Sequence, residues 1–257
     1  MPSRALIAVE VSNSSFDINT ALHLLPDAIR HQLLQRKVRL EIDLASQLLR
    51  YYGCSRLLGI QWENLEFTAS RLGKPALLGE STLSFNISKG NSSVVMYILQ
   101  DEELQNVGVD VASTSVVSDW SNDYLDLFSN IFSSEEYTCL RETNYRTQRD
   151  VLFTRYWSLK EAYAKYTGNG LNSELNSISF GRLKGFGRKE HHVFCIVLNN
   201  ELLRFHSFWL DDDSIVSTCE GPLIEIDDTI RIDIERISMT SLIDTLITSK
   251  ESSKPDR

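Results

Sequence analysis

The spacing of apolar and polar residues along the chain changes between two periods, one typical of strands and one typical of helices. Residues 5–11 and 94–99 are short apolar runs rich in β-branched side chains, and they predict buried strands. Residues 106–113 alternate strictly between valines and small or acidic residues, which predicts a strand with two different faces.

Three longer segments carry apolar residues at helical spacing. The first runs from Asp27 to Gly53, and the second covers residues 119–142 with a further helix start at Ser133. The third covers residues 149–168 and is rich in Ala, Leu, Lys and Glu. Proline near the start of the first helix and glycine after the first and third support these limits.

After the third helix the pattern returns to strands with polar turns between them. The predicted strands are residues 178–180, 193–198, 202–209 and 215–219. A polar break at residues 101–105 separates two parts of the chain that each combine helices and strands. We therefore predict an α+β fold with an N-terminal half at 1–105, a C-terminal half at 106–245 and a disordered tail at 246–257. The sequence itself shows no repeat that proves the two halves alike.

Composition narrows the class of protein. The 257 residues are 42% hydrophobic and 24% charged, as in soluble globular proteins, and the net charge of −9 argues against general nucleic-acid binding. No apolar run approaches the roughly 20 residues needed to cross a bilayer, and Glu10 interrupts the first apolar run too early for a signal peptide. Four widely spaced cysteines lack zinc spacing and predict reduced thiols. We expect a cytoplasmic protein.

The first predicted helix concentrates positive charge in an acidic chain. Its basic residues are Arg30, His31, Arg36, Lys37, Arg39 and Arg50. They indicate either a solvated helix face or a local site for anions.

Two further turns carry lysines beside short polar side chains. Gly73-Lys74-Pro75 places Lys74 at a stiffened corner, and Asn86, Ser88 and Lys89 precede the strand at 94–99. Such groups can donate several hydrogen bonds to a phosphate, or they can be ordinary turn residues.

Asp110 is out of place among the valines of its strand, because aspartate is depleted in strands and costs free energy when buried without a partner. A metal ion, a cation or a proton donor on a ligand would resolve this conflict. On the third helix, Trp157, Glu161 and Lys165 lie at i, i+4 and i+8 and share a face, with Lys160 beside the carboxylate. A surface Glu–Lys pair would give the same pattern. Two acids with lysines near both suggest magnesium and a phosphate.

Four motifs in the same order resemble those of 4′-phosphopantetheinyl transferases. They are Gly73-Lys74-Pro75, Phe85-Asn86-Ile87-Ser88, Val-Gly-Val-Asp110-Val, and Trp157-Ser-Leu-Lys-Glu161-Ala-Tyr-Ala-Lys165 followed by Gly168-Asn-Gly170. The resemblance extends from about residue 30 to residue 220, and it is to the large, two-half monomeric type. The chain looks most like the fungal enzymes that activate α-aminoadipate reductase in lysine biosynthesis.

This resemblance implies a fold of two similar α+β halves related by a pseudo-twofold axis, with coenzyme A bound in the cleft between them. It implies that Asp110 and Glu161 bind Mg²⁺ with the diphosphate of coenzyme A. Glu161, directly or through a water, would take the proton from a serine of an apo carrier domain. Lys165 would neutralise charge on the diphosphate and assist the leaving group, adenosine 3′,5′-bisphosphate.

The resemblance also implies which residues hold the adenosine end of coenzyme A. Lys74, Asn86, Ser88 and Lys89 would do so, and Arg39 or a basic neighbour would add a phosphate contact. Two positions depart from the family pattern. Ala112 stands where many bacterial relatives have a second acid, which excludes a three-carboxylate site, and Lys89 stands where many relatives have histidine.

Other functions are left open by the sequence. The chain could be a catalytically inactive coenzyme A-binding interaction protein, or a structural protein in which Asp110 and Glu161 are ion-pair partners. A nucleotide-dependent phosphotransferase would need a phosphate-binding loop, and none is present. For the enzyme, we expect a monomer that uses Mg²⁺ and coenzyme A and has an apo carrier domain as its partner, with no nucleic acid and no membrane.

Overall fold

A computed structural model of the chain describes residues 3–11, 15–36, 38–69, 73–103, 106–120, 124–170, 174–185 and 187–251. Its strands are β1 (Ser3–Glu10), β2 (Phe67–Ala69), β3 (Pro75–Leu77), β4 (Leu83–Lys89), β5 (Ser93–Gln100), β6 (Asn106–Ser113), β7 (His191–Leu198), β8 (Glu201–Trp209), β9 (Ser214–Gly221) and β10 (Ile234–Ser238). Its helices are α1 (Ile18–His23), α2 (Asp27–Gln35), α3 (Leu40–Leu58), α4 (Thr114–Ser118), α5 (Tyr124–Leu127), α6 (Ser134–Glu142), α7 (Arg146–Thr167) and α8 (Met239–Glu251). The predicted α+β class is confirmed.

The chain forms two compact units, and neither is continuous in sequence. Unit 1 comprises Met1–Ser70, Pro75–Glu102 and Ile232–Arg257, and unit 2 comprises Arg71–Lys74 and Glu103–Arg231. The boundary near residue 102 lies close to the predicted one at 105. The predicted C-terminal half differs at its other end, because residues from Ile232 onward belong to unit 1.

Unit 1 is a four-stranded sheet, in the order β10-β1-β5-β4, with the long helix α3 packed against it. β1 pairs antiparallel with β5 and parallel with β10, so the first strand lies inside the sheet. Apolar side chains of the sheet and of α3, among them Val9, Met96 and Leu48, are fully buried in one core. The predicted strands at 5–11 and 94–99 are thereby confirmed.

The first predicted helix is in fact two helices, α2 and α3. The chain turns between them at Arg39, whose φ is +61°, and Lys37 lies outside the described residues. Gly53, expected to end the helix, lies inside α3, where an added Cβ would be 2.7 Å from the sulfur of Met96. It is therefore a packing glycine, and α3 ends at Gly59.

Residues 246–251 belong to helix α8, contrary to the prediction of a disordered tail from residue 246. Helix α8 buries Leu242 and Leu246 in the core of unit 1, and the indole of Trp62 donates a 2.9 Å hydrogen bond to the carbonyl of Leu246. β10, which the sequence pattern did not predict, leads into this helix. Residues 252–257 lie outside the described part of the chain.

Unit 2 is an antiparallel sheet, in the order β6-β9-β8-β7, with α7 packed across it. The three predicted strands at 193–198, 202–209 and 215–219 correspond to β7, β8 and β9, and β6 matches its prediction residue for residue. Residues 178–180 do not form a strand. Ile178 and Phe180 are buried beneath α7, so their apolar character reflects core packing.

The segment between β6 and α7 is more broken than predicted. Two short helices, α5 and α6, lie within the helix expected over 119–142, and a third, α4, precedes that range. The helix start predicted at Ser133 is confirmed, because Ser133 and Glu136 form a reciprocal capping box at the start of α6. Among the described residues, no helix has the length and apolar character required to span a bilayer.

Candidate active site

The site is built where β6 runs directly against α7 in unit 2. Gly108 makes this close approach feasible. A Cβ at this position would be 2.6 Å from the backbone nitrogen of Tyr166, and closer still to the carbonyl oxygen of Ala162. Only a residue without a side chain fits there. The approach brings Asp110, two residues later on β6, against the middle of α7.

Asp110 is joined to α7 by an ion pair. Lys165 reaches back along the helix, and its Nζ lies 2.7 Å from Oδ1 of Asp110. The Asp110 residue is only 6% exposed, so the ammonium group supplies the partner that a buried carboxylate needs. The sequence allowed a metal ion, a cation or a proton donor on a ligand as the partner of Asp110. The structure supplies a cation, Lys165.

Glu161 lies one helical turn before Lys165 on the same face of α7. Burial and repulsion from Asp110 raise the pKa of its carboxyl group, and attraction to Lys165 partly opposes the rise. Among the described residues, none donates a hydrogen bond to this carboxylate. Asp110, Glu161 and Lys165 are thus one electrostatic cluster with an excess of negative charge.

This cluster has the donor chemistry for a hard divalent cation. Two carboxylates from facing elements offer oxygen ligands, which Mg²⁺ prefers, together with waters and substrate phosphates. Within the described ranges, no group of three or more His, Cys, Asp or Glu side chains could hold a metal ion. Position 112, two residues after Asp110 on the same strand face, is an alanine and adds no carboxylate.

Lys160, next to Glu161 in sequence, has a different role from the one that adjacency suggested. Its side chain is fully buried, and its Nζ lies 2.8 Å from the carboxylate of Glu136 on α6. It also donates to the carbonyls of Leu175 and Ile178, at 2.8 and 2.6 Å. Burial lowers the pKa of Lys160, and Glu136 opposes that shift. Lys160 therefore fixes the segment after α7 beneath the helix.

Trp157 also supports the helix from within the fold. Its ring packs edge-on to Phe128 at 5.7 Å and stacks on Phe153 at 6.2 Å. It belongs to the aromatic core of unit 2, which holds α7 in position.

Lys74 lies in the same unit as this cluster. Its Nζ donates to the carbonyls of Val107 and Tyr166, at 2.9 and 3.3 Å, and so ties the start of β6 to the end of α7. Burial lowers the pKa of Lys74 to about 8. The ammonium group of Lys74 therefore helps to hold β6 against α7, as Gly108 does. Its contact with a phosphate stays a prediction.

In unit 1 the structure brings two predicted phosphate ligands together. Arg39, at the start of α3, donates to the carbonyl of Gly90, directly after Lys89. Lys89 forms an ion pair of 2.6 Å with Asp43 on α3. Both cations therefore lie where the β4–β5 turn meets the first turn of α3.

Asn86 and Ser88 do not join that pair of cations. They alternate with Phe85, Ile87 and Lys89 along β4, so their side chains lie on the opposite face of the sheet. Both residues are buried, at 7% and 3% exposure.

One group that supports the site escaped the sequence analysis. Asp213, in the turn between β8 and β9, accepts hydrogen bonds from the hydroxyl of Thr114 at 2.8 Å and from the backbone nitrogen of Ser115 at 2.7 Å. It also accepts one from the hydroxyl of Ser113. These bonds fix the end of β6, three residues beyond Asp110. In the sequence, the three aspartates at 211–213 indicate only a polar turn, and the three hydroxyl residues after Ala112 are the available signal.

Comparison with known proteins gives consistent matches. A model of the 4′-phosphopantetheinyl transferase superfamily matches residues 106–213, the range that holds Asp110, Glu161 and Lys165. The L-aminoadipate-semialdehyde dehydrogenase-phosphopantetheinyl transferase of Saccharomyces cerevisiae is 31% identical over 255 residues, covering 96% of this chain and 92% of the yeast protein. The protein of that name from Eremothecium gossypii is 34% identical over 202 residues, covering 79% and 72%. A 4′-phosphopantetheinyl transferase from Bacillus subtilis is 31% identical over 144 residues, covering 54% and 59%.

Proposed function

The chain belongs to the 4′-phosphopantetheinyl transferase superfamily, and from that premise we propose that it transfers 4′-phosphopantetheine from coenzyme A to a serine of an apo carrier domain. The observation that supports this most directly is the cluster of Asp110, Glu161 and Lys165 between β6 and α7. A carboxylate pair with a lysine is the set of groups needed to handle a diphosphate.

Asp110 and Glu161 would hold Mg²⁺ in this proposal. The ion would neutralise charge on the diphosphate of coenzyme A as its phosphoanhydride bond breaks. The excess negative charge at the cluster and the hydrogen-bonding capacity of the Glu161 carboxylate support the assignment.

Glu161 would also act as the general base. Its raised pKa makes it a better proton acceptor than an ordinary glutamate. It would accept the serine proton as the serine oxygen attacks the pantetheine-side phosphorus. The bond from that phosphorus to the bridging oxygen breaks, and adenosine 3′,5′-bisphosphate leaves with the bond's electron pair. Lys165, which already lies against Asp110, would stabilise the charge on the leaving phosphate.

Coenzyme A would be held by the further residues that the family resemblance implies. Arg39 and Lys89 are the best supported, because they lie at one turn of unit 1 and carry positive charge. Lys74, Asn86 and Ser88 are part of the same proposal, although the burial of Asn86 and Ser88 and the hydrogen bonds of Lys74 indicate that they also stabilise the fold.

The acceptor would be the carrier domain of L-aminoadipate-semialdehyde dehydrogenase, also called α-aminoadipate reductase, in lysine biosynthesis. The names of the two fungal relatives support this choice. We further propose that the protein acts as a monomer in the cytoplasm, where its four free thiols would stay reduced.

The test is incubation of the protein with coenzyme A, Mg²⁺ and the apo carrier domain, followed by intact-mass measurement of the carrier. We expect the mass of one phosphopantetheine arm to be added. Asp110→Ala and Glu161→Ala should each abolish the transfer.

The controls are Asp119→Ala and Glu174→Ala, which remove exposed acids of the same unit. Both should keep normal turnover, and circular dichroism should show all four variants folded. Binding of coenzyme A without any transfer by the unaltered protein would instead identify an inactive coenzyme A-binding protein. Near-normal turnover by either cluster variant would refute the assigned site.

A further inference from the structure

A recess lies in unit 2 along the outer edge of its sheet. Its volume is about 870 Å³, within the range of ligand-binding sites. β7 forms one wall, and residues 182–184 and 228–231 flank it. None of the proposed catalytic residues lines it, so its function is separate from the transfer site.

The first feature of this recess is an edge strand. β7 is the last strand of the sheet, and its ladder is with β8. Among the described residues, no backbone hydrogen bond connects residues 193–198 to any segment other than β8. Such an edge is a template for an added strand. Val197, on this strand, is 62% exposed, which is unusual for valine.

The second feature is its charge. The chain carries a net charge of −9, yet the recess is lined by Arg155, Arg182, Lys184 and Arg231 and by a single acid, Asp228. Two other acids face these cations from nearby elements. Glu142 pairs with Arg182, and Glu190 lies 2.9 Å from His192. Lys184 has no ion-pair partner among the described residues, so Lys184 and Arg231 are the accessible cations that the recess offers to an acidic ligand.

The third feature is that the recess is held in shape by a buried cation. Arg155 is 1% exposed, and its guanidinium donates to the carbonyl of Lys184 at 2.9 Å and contacts Nδ1 of His192 at 2.8 Å. These bonds connect α7, the 182–184 segment and the start of β7. The wall is therefore preorganised, which lowers the entropy lost on binding.

Apolar side chains complete the wall. Phe180 and Phe194 lie edge to face at 6.2 Å and line the recess together with Ile196. An extended peptide that pairs with β7 would present alternate side chains to these rings and to the basic groups.

We propose that β7 and this basic recess bind an extended acidic segment of a partner protein by strand addition. Backbone hydrogen bonds to β7 would supply affinity, and acidic side chains spaced two residues apart would pair with Lys184 and Arg231. A second copy of this chain is a poor occupant, because its basic edge would face an identical basic edge.

The experiment measures binding of a synthetic peptide to the full chain by calorimetry. The peptide has the length of β7 and alternates glutamate with valine. One control peptide has lysine in place of glutamate, and another carries N-methyl groups on consecutive backbone nitrogens, which blocks pairing through either of its edges. We expect only the first to bind, with affinity that falls as salt rises.

The matched protein variants separate this site from general electrostatics. Lys184→Glu combined with Arg231→Glu should weaken binding by at least about tenfold, since two favourable charge contacts become repulsive. Lys189 lies nearby in the sequence but does not line the recess. Lys189→Glu should therefore change the binding affinity by less than about twofold.

Several results would overturn the proposal. They are no binding by the unaltered chain, an equal loss in the Lys189→Glu control, or undiminished binding of the N-methylated peptide. Dimerisation of the unaltered chain through β7, detected by sedimentation and abolished by the double variant, would identify a second copy as the occupant and would also refute it.

Discussion

A carboxylate is tolerated at position 110 because a lysine reaches it from the neighbouring helix. Asp110 and Lys165 lie 2.7 Å apart, and that ion pair offsets the cost of burying the aspartate. Glu161 has no such bond from the described residues and takes a raised pKa instead. Burial and the neighbouring Asp110 both disfavour the ionised carboxylate of Glu161, so its ionisation lowers the stability of the folded state.

The stability of the protein should therefore improve when Glu161 becomes neutral. An acid whose pKa is higher in the folded state than in the unfolded state loses stability as pH rises through that pKa. The loss is complete above the raised value, so Glu161→Gln should exceed the unaltered protein in free energy of unfolding most clearly at the higher pH. Urea unfolding of both proteins between about pH 5 and pH 8 measures this difference.

Glu174→Gln, an exposed acid of unit 2, is the control and should track the unaltered protein. A Glu161→Gln protein that is less stable at the upper end of this range would contradict the argument. The variant should at the same time be inactive in the transfer assay.

For single residues, the sequence predicted which charged groups form the cluster of Asp110, Glu161 and Lys165. It predicted less well which contacts the residues next to them make. Asp110 was conspicuous in a valine strand, and Glu161 and Lys165 share a face because of helical spacing. The prediction that Lys160 lies beside the Glu161 carboxylate was wrong. Neighbouring residues on a helix are separated by about 100°, and Lys160 points into the core. Its buried partner Glu136 is 24 residues earlier in the sequence, and no local pattern connects the two.

At the scale of elements, the decisive feature is the close contact of β6 with α7. Three separate groups maintain it: Gly108 permits it, Lys74 bridges the two backbones, and Asp110 pairs with Lys165. Asp213 fixes the far end of the strand. The distance between the carboxylates of Asp110 and Glu161 is therefore set by backbone packing as well as by side-chain contacts.

A methyl group at Gly108 should separate the two elements. We expect Gly108→Ala to cost about 1–3 kcal/mol of unfolding free energy, because the neighbours of the new Cβ are backbone atoms that cannot rotate away. Transfer activity should fall along with stability, as measured by urea unfolding and the carrier-mass assay.

Gly185→Ala is a matched control in the same unit, because no atom lies within 4 Å of the Cβ it would add. It should change stability by less than about 0.5 kcal/mol. Equal effects of the two substitutions would show that the β6–α7 contact is not critical.

Element limits were predicted well where the chemistry is local. Gly168, with φ of +75°, ends α7 as expected, and the capping box at Ser133 starts α6. The break between α2 and α3 was missed, because Arg39 adopts a left-handed conformation without a glycine to signal it. Gly53 suggested a helix end, but it lies inside α3, where the absence of a side chain allows close packing against Met96.

At the scale of the whole molecule, the C-terminal segment returns to the first unit. β10 pairs with β1 in parallel, from Leu6 with Ile234 to Glu10 with Ser238. Pairings this distant in sequence leave no local signature. The weak pattern of residues 232–251 therefore suggested an extension of the second half, followed by a tail.

Truncating Leu246 should reveal that α8 belongs to the core. Leu246→Ala should cost about 2–5 kcal/mol, because its side chain is buried among other apolar groups of unit 1. Hydrogen–deuterium exchange should show faster exchange at amides of β1 and β5. Asp244→Ala, on the exposed side of the same helix, should leave exchange unchanged. Unaltered exchange in Leu246→Ala would mean that the helix contributes nothing to unit 1.

The pairing of the first strand with the last has a consequence for synthesis on the ribosome. β1 is synthesised long before Ile234–Ser238, so one of its two edges stays uncovered until β10 has emerged from the ribosome. The residues of unit 2, nearly all contiguous, emerge in full before that point. The sheet of unit 2 can therefore form while a strand edge of unit 1 is still open, which makes that interval the period of greatest need for a chaperone.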